Sequence, residues 1–249
     1  MRELTTLTYE EHGPLATVTL NRPGQGNRIN IAMIQDLAAV CDHLEDASEA
    51  RVVVFRGANG VFSEGIDFGD FDPGKLIDIH GFNKWEKIVV RLERLPKVTV
   101  ALVDGPALGG GFQLALVMDQ RLASPRATFH LPEVHLGFLP GMATFRLAKY
   151  VGLGHAKRIL LCAPVLGPEE ALRLGILDRV SEDLDQALAE TIASFGPIHT
   201  VAVQLARRLL NESFCTQFED ALGNFLAAQH RSVTQTAFLD TLKRARETR

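Results

Sequence analysis

The sequence predicts an α/β fold with a helical C-terminal region. Up to about Phe145, short β-branched runs alternate with segments of helical apolar spacing, and beyond it almost every pattern is helical. Strand–helix–strand–helix order implies parallel βαβ units, because parallel neighbours need a long crossover between them. With 249 residues, 46% of them apolar and 22% charged, the chain suits one large domain or a domain with an appendage.

Taken in order, Leu15–Leu20 (LATVTL) alternates and is rich in β-branched residues, so it reads as a strand. Ile31–Leu44 has helical spacing, with Asn30 as its N-cap. Val52–Arg56 is a short apolar run typical of a buried strand. Ala58–Lys75 holds repeated Gly and Asp and a Pro, and reads as a loop. Phe82–Leu95 is helical and stops before Pro96, and Val98–Val103 is another buried strand. Gly167-Pro168-Glu169-Glu170 opens a helix that ends near Gly175. Asp183–Phe195, Val201–Leu210, Phe218–Arg231 and Val233–Arg246 read as further helices.

A net charge of −4 without a dense basic stripe argues against nucleic acid as a partner. The N-terminal MRELTTLTYEEHG matches neither a signal peptide nor a transit peptide, and no apolar run is long enough to span a bilayer, so a cytoplasmic setting is expected. The three cysteines, Cys41, Cys162 and Cys215, lack CxxC spacing and read as buried thiols rather than disulfides or zinc ligands. Asp67, Asp70 and Asp72 lack the rest of a calcium-loop pattern, so no metal site is expected.

The segment richest in chemistry runs from Ala107 to Gly141. Gly109, Gly110 and Gly111 precede an apolar helical run. Their amides, free of Cβ atoms and at a helix start, suit an oxyanion. Glu133 follows a strand-like segment and Pro132, as a candidate base beside that oxyanion. The glycines could equally serve close packing alone, and a lone glutamate is usually an exposed loop residue.

This segment occurs with Asn21-Arg22-Pro23, Asn27 and Asn30 upstream and Phe62-Ser63-Glu64-Gly65-Ile66-Asp67 between. Together with the GxxPG loop at Gly137–Gly141, these motifs resemble the crotonase (enoyl-CoA hydratase/isomerase) superfamily over nearly the whole chain. The resemblance implies a crotonase-like spiral of ββα turns over residues 1–195 and a C-terminal helical trimerisation region over 196–249. It implies an acyl-CoA thioester as substrate, coenzyme A being part of that substrate rather than a separate cofactor, and a homotrimer or dimer of trimers. By the same resemblance the backbone amides of Ile66 and Gly110 hold the thioester oxygen, and Glu133 is the acid/base. Further substrate contacts fall on Glu64, Gly65, Asp67, Trp85, Gly109, His130, Pro140 and Gly141. Phe238 and Lys243 sit where a neighbouring subunit's C-terminus reaches the coenzyme A.

Gln113 departs from the family pattern, which in two-base hydratases has a second glutamate there. A glutamine can orient water or thioester but cannot cycle a proton near neutrality. One remaining base fits a double-bond isomerisation, with hydration as a possible second activity. Gly111-Phe112-Gln113 with Asp119-Gln120-Arg121-Leu122 also looks like carboxymethylproline synthases, which keeps decarboxylation or C–C bond formation open. A non-catalytic acyl-CoA-binding or assembly protein is the remaining alternative. Trp85 and Glu86 are read as the start of the helix after the loop, with Glu86 on the surface.

Overall fold

Successive residues of Val52–Gly57 (β3) and Val98–Val103 (β4) point into two different hydrophobic clusters. Val53, Phe55, Ala101 and Val103 join the larger one. Val52, Val54, Val98, Val100 and Leu102 join a second. The sheet is therefore covered on both faces, which is why its strands are apolar runs rather than alternating ones. The computed structural model describes residues 1–71, 74 and 79–247. Lys75 and Asp72, the one closing the expected loop and the other in the acidic trio, lie outside the described residues.

Among the described residues the large sheet has six strands, in the order β1-β2-β3-β4-β6-β8. Leu7–His12 (β1) runs antiparallel to Leu15–Leu20 (β2). The neighbours from β2 through β3 and β4 to Gln120–Ala123 (β6) and Arg179–Val180 (β8) are all parallel. A second, shorter row lies beside it. Pro106–Leu108 (β5) pairs in parallel with Thr128–His130 (β7). Single bridges extend this row, joining Ile29 to Ile66, Ser63 to Ala107 and Phe129 to Leu166. The chain visits the large sheet, the short row and a helix in turn, which is the expected spiral of ββα turns.

Ile31–Asp46 (α1) starts at Asn30, whose side chain accepts from the Met33 amide at 2.9 Å, as its N-cap role requires. Ile79–Arg94 (α2) begins three residues earlier than expected, so Trp85 and Glu86 lie in its second turn rather than its first. Gly110–Leu116 (α3) is wholly buried. Ala143–Cys162 (α4) is broken at Gly152, where φ is 72°. Pro168–Arg173 (α5) and Leu184–Ser194 (α6) follow, and α6 packs Leu184, Ala187, Leu188 and Ile192 against the second cluster.

Thr200–Glu212 (α7), Phe218–Val233 (α8) and Thr236–Glu247 (α9) complete the chain. The buried Arg207 docks α7, pairing with Asp119 at 2.8 Å and donating to the Leu95 carbonyl. By contrast, α8 and α9 bury no residue in the single chain.

Two expectations change. The polar N-terminal stretch contains a strand, β1. Of the cysteines only Cys41 is buried, where burial pushes its thiol up to about 12; Cys162 and Cys215 are exposed.

Candidate active site

Three stretches of chain are held together by backbone contacts that leave no room for side chains. Asn27, buried with φ 50°, donates to the carbonyls of Ala58 and Val61 and accepts from the Arg22 amide. Ser63 Oγ donates to the Asn27 carbonyl at 2.9 Å and accepts from the Gly65 amide at 3.2 Å. Ser63 is thus a scaffold hydroxyl. A Cβ on Gly111 would lie 2.4 Å from the Ser63 carbonyl, and one on Gly65 (φ +90°) 2.8 Å from the Leu108 carbonyl and 3.3 Å from the Gly110 nitrogen. Glycine is needed at both places for the loop to reach the start of α3.

The two expected oxyanion donors meet here. Ile29 donates to the Gly65 carbonyl at 2.8 Å and its own carbonyl accepts from Asp67 at 2.9 Å. That bridge brackets Ile66 and leaves its amide out of the ladder. Gly110 is the first residue of α3, where an amide has no intrahelical acceptor. A Cβ on Gly110 would stand 3.3 Å from Ile66 Cδ1, so the two residues are neighbours.

Glu133 stands beside them. Gly109 N-caps α3 with φ 51° and ψ −120°, and its amide donates to the His130 carbonyl at 2.8 Å. A Cβ on Gly109 would be 2.8 Å from Glu133 Oε1. Glu133 opens a single 3-10 turn after Pro132, only 4% exposed, and its Oε2 has no hydrogen-bond partner among the described residues. Burial pushes its pKa above the usual glutamate value, against a smaller opposing bond from its own amide.

Gln113 lies one turn along α3, its amide bonded to the Gly109 carbonyl at 3.0 Å. Its side chain is buried and Oε1 has no partner among the described residues. Sequence reasoning missed what faces it. A Cβ on Gly141 would lie 2.9 Å from Gln113 Oε1 and 2.7 Å from Glu86 Oε1. Glu86 is half-buried rather than free on the surface: Oε1 accepts from the Met142 amide at 3.0 Å, and Oε2 pairs with Arg146 at 2.9 Å. Arg146 is buried and also pairs with Glu93 at 3.2 Å. Glu86 and Glu93 stand seven residues apart, on one flank of the buried stripe Trp85, Ile88, Val89 and Leu92. That spacing was the available signal, but nothing in it pointed to Arg146.

Trp85 is buried and lines a cavity of about 360 Å³ with Ile29, Ile66, Asp67, Phe71 and Phe82. Asp67 is committed to Arg22 at 2.9 Å and to the Gly69 amide. Burial alone would raise its pKa, but the Arg22 bond and the Gly69 amide outweigh it and hold it below the usual range. The Glu64 carboxylate is taken by Arg28 at 2.7 Å and its amide by the Gly26 carbonyl at 2.9 Å. The His130 ring bonds the Ala163 carbonyl and the His135 ring the Leu161 carbonyl, each at 3.0 Å, so His130 reaches the site through its own carbonyl on Gly109. Pro140 is buried next to Gly141. Phe238 lines a separate cavity with Ile198 and Thr200, and Lys243 pairs with Asp240 at 3.3 Å. Neither lines the Trp85 cavity among the described residues. No cluster of three or more metal-ligating side chains occurs among the described residues, and no described helix is long and apolar enough to cross a membrane.

Two backbone amides beside a buried carboxylate are what the resemblance to acyl-CoA enzymes leads one to expect. Comparisons with known proteins bear on the family. The enoyl-CoA hydratase/isomerase family model matches residues 10–247. The chain is 33% identical to a short-chain-enoyl-CoA hydratase of Clostridium acetobutylicum, over 97% of both chains. It is 31% identical to a crotonyl-CoA hydratase of Syntrophomonas wolfei, over 95% of this chain and 96% of that one. Among solved structures it is similar to an enoyl-CoA hydratase of Thermoplasma volcanium, with TM-score 0.86, 29% identity and 96% of each chain covered. A Thermobifida fusca protein solved with acetoacetyl-CoA superposes with TM-score 0.81 at 29% identity, over 92% of this chain and 94% of that one. The chain belongs to the enoyl-CoA hydratase/isomerase family, the crotonase superfamily, and is an acyl-CoA enzyme of that type.

Proposed function

We propose that this enzyme moves a double bond along an acyl-CoA thioester, with Glu133 as its proton shuttle. The observation that supports this best is the pairing of a buried, half-unpartnered carboxylate at Glu133 with an amide, not a second carboxylate, at Gln113. The thioester oxygen accepts from the Ile66 and Gly110 amides. Glu133 takes a proton from Cα of a 3-enoyl ester and returns it at Cγ as the enolate collapses to the conjugated 2-enoyl ester. One lost oxyanion donor costs about 2.7–4 kcal/mol in other enzymes, so these two amides supply a large share of the barrier lowering. The acyl chain lies in the cavity between Ile29, Ile66 and Trp85. Asp67 closes that wall through Arg22, and Gly141 lies against Gln113 at the other side.

Hydration of a 2-enoyl ester is the second reading, supported by Glu86 standing across Gly141 from Gln113. We also infer a homotrimer or a dimer of trimers, in which Phe238 and Lys243 reach a neighbour's coenzyme A. Supporting this, α8 exposes Phe218, Leu222, Phe225 and Leu226 along one face. The deciding experiment follows 3-enoyl- and 2-enoyl-CoA by mass spectrometry in deuterated water, with wild type and Glu133→Gln. A double-bond shift with deuterium incorporation, lost in the variant, is expected. Normal turnover by Glu133→Gln would sink the reading.

A further inference from the structure

We propose that Glu86 supplies a second carboxylate to this site, holding with Gln113 the water that adds across the double bond of a 2-enoyl ester. The inference rests on the enoyl-CoA reading above and deepens its hydration arm. It starts from two oxygens beside Gly141. Glu86 Oε1 lies 2.7 Å and Gln113 Oε1 2.9 Å from the point a Gly141 Cβ would take, so the two oxygens are at most about 5.6 Å apart. One water donating to both spans such a gap at ordinary O–H···O distances. Both atoms are acceptors, so neither can satisfy the other. A water has the two donors that the pair needs, and its lone pairs then face away from both acceptors. Gln113 Oε1 is buried and otherwise unpartnered among the described residues, a costly state for a polar atom unless something donates to it.

Glu86 is built to hold that position. Its Oε1 is fixed by the Met142 amide, and its Oε2 by Arg146. Because Arg146 is shared with Glu93, its positive charge is divided between two carboxylates. Glu86 keeps 21% of its side-chain surface, so solvent can exchange its proton. In the addition, the water oxygen bonds Cβ while the π electrons move to the thioester as an enolate, and the water gives one proton to Glu86. Protonated Glu133 then delivers its proton to Cα. Glu86 releases its proton to solvent and Glu133 regains one, which closes the cycle.

The test compares hydration of a 2-enoyl-CoA with isomerisation of a 3-enoyl-CoA. It uses wild type, Glu86→Gln, Glu93→Gln and the double variant Glu86→Gln with Gln113→Glu, with thermal melting of each. The expected result for Glu86→Gln is a hydration kcat lowered about tenfold or more relative to isomerisation, with KM changed little. The double variant, which moves the carboxylate across the same water, regains hydration. Glu93→Gln, which touches the same Arg146 but does not face Gln113, leaves the ratio of the two activities near that of wild type. Equal loss of both activities in Glu86→Gln, or an equal shift of the ratio in Glu93→Gln, would reduce Glu86 to a packing role and overturn the proposal. A double variant without rescue would also count against it. Wild type that isomerises without hydrating overturns this proposal alone, and wild type that does neither overturns the reading beneath it.

Discussion

Gly109 and Glu133 are packed so closely that a methyl group on the first would lie 2.8 Å from Oε1 of the second. The helix entrance and the base therefore share one small space. Gly109→Ala places a Cβ there and strains a backbone at φ 51°, ψ −120°. We expect a stability loss of about 1–3 kcal/mol in thermal melts. On the proposed mechanism turnover should fall about 100-fold or more, since Glu133 and the Ile66 and Gly110 amides move apart.

The burial that raises the Glu133 pKa has a sign that can be checked. The fold prefers the protonated carboxyl, so stability is greatest below the ordinary glutamate range and falls as pH rises through the raised value. Glu133→Gln removes that slope. The variant should melt with wild type near about pH 4 and above it near about pH 7. Shuttling requires the ionised form to start, so the acidic limb of wild-type kcat/KM should lie above the range of an ordinary glutamate.

Asp36 behaves in the opposite sense. Fully buried on α1, it accepts from the Thr6 hydroxyl and amide and the Thr5 amide, and it pairs with Arg2. Burial alone would raise its pKa, but these bonds hold it below the usual aspartate range. Its contribution is present above the ordinary aspartate pKa and is lost as pH falls through the depressed one. Asp36→Ala should cost about 3 kcal/mol in urea unfolding at neutral pH, because two amides and an arginine lose their acceptor. The deficit should shrink in acid.

The exposed face of α8 carries the assembly prediction. Phe218 is 76% and Leu226 59% exposed in the single chain. Light scattering should give the mass of three chains or a multiple of it. Phe225→Asp should shift the population to monomer, and a wild type that is monomeric throughout the accessible concentrations would refute the trimer.

Much of this was legible in the sequence, and the gaps have physical causes. The strands Leu15–Leu20 and Val98–Val103 matched residue for residue, because burial dictates their composition. Leu7–His12 was invisible, since an edge strand whose residues are partly exposed can be as acidic as Tyr9-Glu10-Glu11. The strands β5 and β7 are three residues each; only the second was read as strand-like, and their pairing with one another is recorded by no local pattern. That the glycines and Glu133 lie close together was expected from the one segment that carries them. The setting of Glu86 was not, since Arg146 and Gln113 lie 60 and 27 residues away in sequence.

The short pair β5 and β7 also stands apart in sequence from the wall of the Trp85 cavity. Gly109–Gly110 follows directly from β5, and Glu133 comes three residues after the end of β7, so the groups proposed to react are carried by one pair of strands. The cavity proposed for the acyl chain takes Asp67, Phe71, Phe82 and Trp85 from an earlier turn of the spiral. Grafting residues 67–85 from a relative should retool which acyl chains are accepted while the chemistry carries on behind it.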